Sequence, residues 1–170
     1  ISAVAYSYDY YANETITSTI YMGVVSRNSF DEAYSFVPLD SLTQVYSGNV
    51  TFSHGWTTIT LDTPFEYNGE GNLVIAYLNT TGSGTGHRRY LSTASPDLKT
   101  IYVRRDNPII DPTTLTENDI TPSWERPNIR LTITPPAGFC YPVYNITASN
   151  ITSDGADISW ECDGNVPNFA

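Results

Sequence analysis

An all-β chain of the sandwich or barrel type is predicted by three observations. Short runs that alternate apolar and polar residues recur from one end of the 170-residue sequence to the other, which strands with one wet face require. The runs are separated by Gly, Asn, Asp and Pro, residues that turn a chain rather than continue a helix. Among the aromatics, 13 Tyr stand against 6 Phe and 3 Trp, and a ring with a polar tip suits a surface buried on one side only.

Taken in order, strands are expected near Ala3–Tyr10, Thr15–Val25, Thr43–Phe52, Trp56–Leu61, Asn72–Leu78, Arg88–Thr93, Thr100–Arg104 and Asn128–Thr134. The one helical candidate is a turn at Ser29–Tyr34, where Ser29 offers a cap and Asp31 and Glu32 favour the positive end of a helix dipole. Phe52-Ser53-His54-Gly55-Trp56 reads as a hairpin turn. Tyr67-Asn68-Gly69 places Asn-Gly at a corner that tolerates positive φ, and Gly71 supplies a second release before the apolar run Leu73-Val74-Ile75-Ala76. Gly82–Gly86 is expected to be an exposed loop tip. The segment Asp106–Arg126, with Pro108, Pro112 and Pro122 inside it and Pro127 just after, is expected to be one long irregular loop, the kind of segment that carries binding surfaces on β scaffolds.

A boundary is expected at Thr134-Pro135-Pro136-Ala137-Gly138, because two prolines end a ladder and the glycine frees the chain. The division is then a β-sandwich over 1–135, a linker over 136–143 and a partial second domain over 144–170. In that last part Tyr144–Ser149 and Ala156–Glu161 read as two strands joined by Thr152-Ser153-Asp154-Gly155. A two-stranded ribbon is marginal by itself in water, so it is expected to dock on the first domain, to pair with further sequence of the same polypeptide, or to be poorly ordered.

Composition narrows function by exclusion. With 18 acidic against 8 basic residues the net charge is −10, a field that repels phosphate backbones, and the densest basic pairs, Arg88-Arg89 and Arg104-Arg105, do not offset it. Nucleic acid is therefore not expected as a partner. No run of 18 apolar residues occurs, so no insertion into a membrane by this chain is expected. The start at Ile1 reads as a mature or excised piece rather than a complete cytoplasmic product.

Candidate chemistry is sparse, and no enzyme is expected. A hydrolytic triad needs a base, and only His54 and His87 offer one; both sit in turn or loop sequence and read as ordinary surface histidines. No Gly-x-Ser-x-Gly elbow is present, and Gly82–Gly86 lacks the Lys and following helix of a phosphate loop. Calcium has a better case, since Asp106, Asp111 and Asp119, with Glu117 and Asn118, supply hard oxygen ligands in one segment, although without the spacing of an EF-hand. A structural calcium is thus an option rather than a required cofactor, and solubility is the plainer reading of the acidity.

Sugar binding needs an exposed ring for stacking and a few polar groups for hydroxyls. Tyr90 and Tyr102 with Arg88, Arg89, Arg104 and Arg105 form the candidate patch. The competing reading is that such tyrosines are packing pairs, and it is preferred for Tyr6 and Tyr8. Cys140 and Cys162 flank the two C-terminal strands. Pairing Ala148 with Ile158 would set Cys162 opposite Tyr144, four residues from Cys140, so a disulfide is one reading and two free thiols the other; a bridge requires Cα atoms within about 7 Å.

Two resemblances sharpen these readings. Gln44-Val45-Tyr46-Ser47-Gly48, Gly55-Trp56-Thr57-Thr58-Ile59, Leu61-Asp62-Thr63-Pro64-Phe65-Glu66-Tyr67-Asn68-Gly69 and Asn72-Leu73-Val74-Ile75, with the later Arg126-Pro127-Asn128-Ile129-Arg130-Leu131, resemble the adhesin-type, galactose-binding-like jelly-roll domains of surface proteins from Gram-negative gut bacteria. That resemblance covers roughly 1–135. It implies an antiparallel jelly-roll β-sandwich, a secreted or cell-surface location associated with the outer membrane, and adhesion to a glycan or to a host or extracellular protein. It carries over no catalytic residue. Asn145-Ile146-Thr147-Ala148-Ser149-Asn150-Ile151-Thr152-Ser153-Asp154-Gly155-Ala156-Asp157-Ile158-Ser159-Trp160 is similar to strands A and B of a fibronectin type III domain, which implies a core role for Trp160 and a sandwich of which only the opening is present. The alternatives to a binding module are an accessory, carbohydrate-binding fragment of a larger secreted glycosidase or peptidase, and a structural stalk or fibre subunit.

Overall fold

The computed structural model describes residues 1–9, 11–30, 36–81, 90–105, 110–134 and 143–162. The described residues are β-strands, short 3-10 turns and connecting loops, and every strand pairing is antiparallel. The chain divides into two compact units, Ile1–Thr134 and Pro135–Ala170.

In the first unit, β1 (Ala3–Tyr8), β2 (Glu14–Val25), β3 (Thr43–Phe52), β4 (Gly55–Thr60) and β5 (Asn72–Asn79) are followed by the short strands β6 (Ser92–Ala94), β7 (Thr100–Tyr102), β8 (Thr121–Ser123), β9 (Glu125–Pro127) and β10 (Ile129–Thr132). Two three-stranded sheets form, one ordered β10-β1-β4 and the other β3-β2-β5, while β6 pairs with β9 and β7 with β8. Both three-stranded sheets contribute to one core in a sandwich-like arrangement. Val4, Tyr6 and Tyr8 of β1 and Ile59 of β4 meet Ile16, Ile20 and Met22 of β2 and Val45, Val50 and Phe52 of β3. In β1 and β2 these are alternate residues, as a period of two demands; in β3 a register shift opposite Ile20 and Tyr21 lets Val45 and Val50, of opposite parity, face the same core.

Two polar groups enter this core with partners. The Ser18 hydroxyl, fully buried, meets the Tyr77 hydroxyl at 2.5 Å, and the Tyr8 hydroxyl donates to Glu14 at 3.0 Å. The N-terminal ammonium of Ile1 donates to the Phe65 carbonyl at 2.6 Å, which fixes the start of the chain.

The predicted hairpin at Phe52–Trp56 is not one. β3 lies in the second sheet and β4 in the first, so Ser53 and His54 carry the chain from one sheet to the other, with Gly55 at φ 99°, a conformation that glycine adopts without steric cost. Alternation identified both strands but said nothing about which sheet each joins. The Asn68-Gly69 corner forms as expected: Gly69 and Gly71 have φ of 85° and 72°, and Asn68 Oδ1 accepts from the Glu70 amide at 3.0 Å.

The segment expected to be one irregular loop is more ordered than its prolines suggested. Two single 3-10 turns, Pro112–Thr114 and Glu117–Asp119, precede β8 and β9, and Pro122 and Pro127 sit inside those strands opposite Ile101 and Ser92. Each strand belongs to a two-stranded pair, so every strand there is an edge, the place where a proline is tolerated. The expected strand Asn128–Thr134 begins at Ile129, and Asn128 links two sheets: its amide donates to the Leu91 carbonyl at 2.8 Å and its carbonyl accepts from Ser7 at 3.3 Å. Of the expected strand Arg88–Thr93, Tyr90 forms an isolated bridge with Tyr8 and β6 begins at Ser92; Arg88 and Arg89 lie outside the described residues, as does most of the helical candidate at Ser29–Tyr34 and all of Gly82–Gly86.

In the second unit, β11 (Val143–Ser149) pairs with β12 (Asp157–Cys162) in the register that sets Ala148 opposite Ile158. A bulge between Tyr144 and Thr147, with Asn145 at φ 53°, then places Cys162 opposite Val143 rather than Tyr144. Cys140 lies outside the described residues. The connecting turn closes where expected, the Thr152 amide donating to the Gly155 carbonyl at 2.8 Å.

Candidate functional site

The outward face of the β10-β1-β4 sheet carries an aromatic and cationic platform. In β1 the small residues Ala3, Ala5 and Ser7 point away from the core, yet all are buried. Their cover comes from the flanking strands. Arg130 of β10 lies opposite Ala5, and Trp56 of β4 lies opposite Ser7. The Arg130 guanidinium crosses the small side chains and sits 3.9 Å from the centre of the Trp56 ring. Trp56 stays 38% exposed. Cation–π contact holds both groups in place, and Thr58 and Thr60, exposed on the same strand, add hydroxyls beside them.

A second stack lies at the end of the same strand pair. The Tyr11 ring, 85% exposed, stacks on the His54 imidazole at 4.3 Å and 10°, while His54 Nε2 lies 3.6 Å from the Asp9 carboxylate. Pairing of Tyr8 with Gly55 ends the β1–β4 ladder, and Asp9 and His54 are the next residues along it. Two stacked platforms, a carboxylate and a guanidinium are thus offered by neighbouring positions of one β-scaffold. Chemically the arrangement offers apolar ring faces with hydrogen-bonding groups at their rims.

Of the residues expected to form the site, Tyr90, Tyr102, Arg104, Asp111 and Asp119 are described, whereas Arg88 and Arg89 lie outside the described residues. Tyr90 packs its ring among Phe52, Tyr6, Tyr8 and Tyr77, with centroids 5.4, 5.7, 6.0 and 6.4 Å away, so it joins the core rather than an exposed patch. Burial, together with the neighbouring Tyr77, pushes the Tyr6 hydroxyl well above the usual phenol range. Tyr102 stays exposed on β7, opposite Thr121. Arg104 is exposed, and Arg105 pairs with Asp119.

Asp111 and Asp119 are engaged by the backbone. The Asp111 carboxylate accepts from the Thr113 hydroxyl at 2.7 Å and amide at 2.9 Å, which lowers its pKa. Asp119 accepts from the Thr116 amide and hydroxyl, both at 2.9 Å, and from Arg105, and its pKa falls as well, the amide contributing most. Each carboxylate caps a 3-10 turn. Among the described residues no three His, Cys, Asp or Glu side chains come together as metal ligands; Asp106 lies outside those residues.

The sequence did hold a signal for Trp56. It shares parity along β4 with the polar Thr58 and Thr60, which marks it as outward-facing, but its partner Arg130 lies 74 positions away in sequence and no local pattern joins them. Compared with known proteins, the chain matches no family model, no curated protein and no solved structure.

Proposed function

We propose that this chain is a non-catalytic recognition module of the cell exterior whose first unit binds a glycan or an extracellular protein through the Trp56–Arg130 and Tyr11–His54–Asp9 platforms. The observation that supports the reading most is the half-exposed Trp56 ring held under Arg130 on a rigid sheet. A ring already fixed in place loses little rotamer freedom when a sugar face or a side chain stacks on it. The resemblance to adhesin-type jelly-roll domains points to the same class of activity, and jelly-roll topology is the fold proposed for the first unit.

The second unit is proposed as the opening strands of a fibronectin type III spacer. Ile146, Ile158 and Trp160 are exposed, and the polar positions pair among themselves, Thr147 with Ser159 at 2.6 Å and Asn145 with Glu161 at 2.8 Å. A ribbon with one apolar side is what further strands would cover.

The test is a glycan array together with a pull-down on extracellular proteins, using the chain and its Trp56→Ala and Tyr11→Ala variants. Binding that both substitutions weaken is expected. No signal above background in either assay, or signal indifferent to both substitutions, would overturn the proposal.

A further inference from the structure

The two sheets end on the same side in two edges, β3 and β4, and the chain treats them differently. On β3 three outward backbone groups are taken up locally: Asp62 Oδ2 accepts from the Ser47 amide at 2.9 Å, the Tyr46 hydroxyl donates to the Asn49 carbonyl at 3.1 Å, and the Val45 carbonyl accepts from the amides of Asp62 and Thr63 at 2.8 and 3.2 Å. On β4 the phase of the ladder is fixed by the Leu61 amide, which donates to the Ser2 carbonyl at 3.0 Å. Leu61 is therefore bonded towards β1, as are Ile59 and Thr57, because hydrogen-bonded and non-bonded pairs alternate in an antiparallel ladder. Trp56, Thr58 and Thr60 then direct their amides and carbonyls away from the sheet. Among the described residues nothing pairs with those groups.

Edges left open are ordinarily blunted by charge, proline or a bulge. β10 has such protection, with Arg130 within it and Pro127 just before it, and β5 is half-buried from Leu73 to Asn79. β4 has none. Gly55-Trp56-Thr57-Thr58-Ile59-Thr60-Leu61 is uncharged in a chain of net charge −10, and from Trp56 to Thr60 it is built of strand-forming residues. Between it and β3 lies a cleft of about 320 Å³ lined on the β3 side by Tyr46, Asn49, Val50 and Thr51.

We infer that the β4 edge is a pairing surface for a second copy of this chain, joined antiparallel about a two-fold axis through Thr58. The phase permits this without a register slip. Thr58 lies opposite Thr58 of the second copy and Trp56 opposite its Thr60, and each opposed pair exchanges two backbone bonds. A directly opposed threonine pair is a favourable cross-strand contact. The absence of charge along the edge also matters, because any charged side chain at Thr58 would face its own copy. With the axis perpendicular to the sheet, both Trp56–Arg130 platforms lie on the same outer face of a continuous six-stranded sheet.

The experiment is light scattering and amide hydrogen exchange on the full chain at concentrations up to about 1 mM, the range in which a weak dimer is still populated. A concentration-dependent doubling of mass is expected, with the Thr58 amide exchanging more slowly as concentration rises. Salt is expected to favour the dimer by screening the two net charges. Thr58→Lys and Thr58→Pro are each expected to abolish the doubling; the proline removes only an outward amide and so is compatible with the fold on an edge, and the lysine serves if the proline variant does not fold. A chain that stays monomeric throughout, a dimer that survives Thr58→Lys, or a Thr58 amide protected equally at all concentrations, as a segment of the same chain would make it, each overturns the inference.

Discussion

The Arg130 guanidinium lies 3.9 Å from the centre of the Trp56 ring, reaching from one edge strand of its sheet to the other across Ala5 and Ser7 of the strand between. Only small residues at those two positions leave room for an arginine to lie flat over the sheet. Binding and stability are therefore expected to separate at this site. Trp56→Ala should weaken ligand binding about tenfold or more, as truncating an aromatic anchor does, while the chain still folds, its stability in urea lowered by about 1–3 kcal/mol for the lost burial and cation–π contact of the half-exposed ring.

Ser18, fully buried, shares a hydrogen bond with the half-buried Tyr77 hydroxyl. Tyr77→Phe removes the partner of a hydroxyl that no water can reach, which costs about 1–3 kcal/mol. Adding Ser18→Ala should restore much of that loss, because the unsatisfied group is then gone. A double-mutant cycle in urea reads the coupling directly.

Phe52 is fully buried and contacts the rings of Tyr8 and Tyr90. Phe52→Ala is expected to destabilise by about 3–5 kcal/mol. The measurement is the urea midpoint at constant slope, since a changed slope would mean a change in the unfolded ensemble instead.

Alkaline pH should unfold this protein in part through Tyr6, whose hydroxyl is held above the usual phenol range by burial first and by Tyr77 second. An unfolded chain gives up that proton near pH 10, whereas the folded chain retains it to higher pH. Unfolding therefore releases a proton in this window, and stability, complete below pH 10, falls as pH rises. Tyr6→Phe is expected to move the onset of alkaline unfolding upward, followed by near-ultraviolet circular dichroism.

Much of the fold was legible because strand existence is a local property. The period of two set the strand and the buried face from Thr15 to Val25, and it set the existence of the strand from Thr43 to Phe52, whose buried face changes parity at a register shift that no alternation shows; Asn68-Gly69 set its own corner. The Ala148–Ile158 register was also readable, since a four-residue turn between two short runs leaves little choice of pairing. What a run of residues did not contain was its partner. Phe52–Trp56 has the composition of a hairpin, yet β3 and β4 join different sheets, a decision made by the core face each strand buries.

The candidate site was harder to read for the same reason. Tyr90, Arg88 and Arg89 formed a persuasive patch in one dimension, but the bridge from Tyr90 to Tyr8 turns its ring into the aromatic cluster. Asp111 and Asp119 suggested hard-ion chemistry by residue type, and their carboxylates turned out to be occupied by backbone amides two and three residues away, a local arrangement that the Asp-Pro-Thr and Thr-Glu-Asn-Asp spacing could have revealed.

The sequence by itself determined an all-β chain, because alternation, turn residues and tyrosine-rich composition act over a few residues at a time. Only the tertiary structure decided that Trp56 and Arg130 share a platform and that, among the described residues, the outward groups of β4 are left unpaired while several of β3 are taken up. Those relations join residues distant in the chain through sheet order and hydrogen-bond phase, and both arise only when the strands have chosen their neighbours.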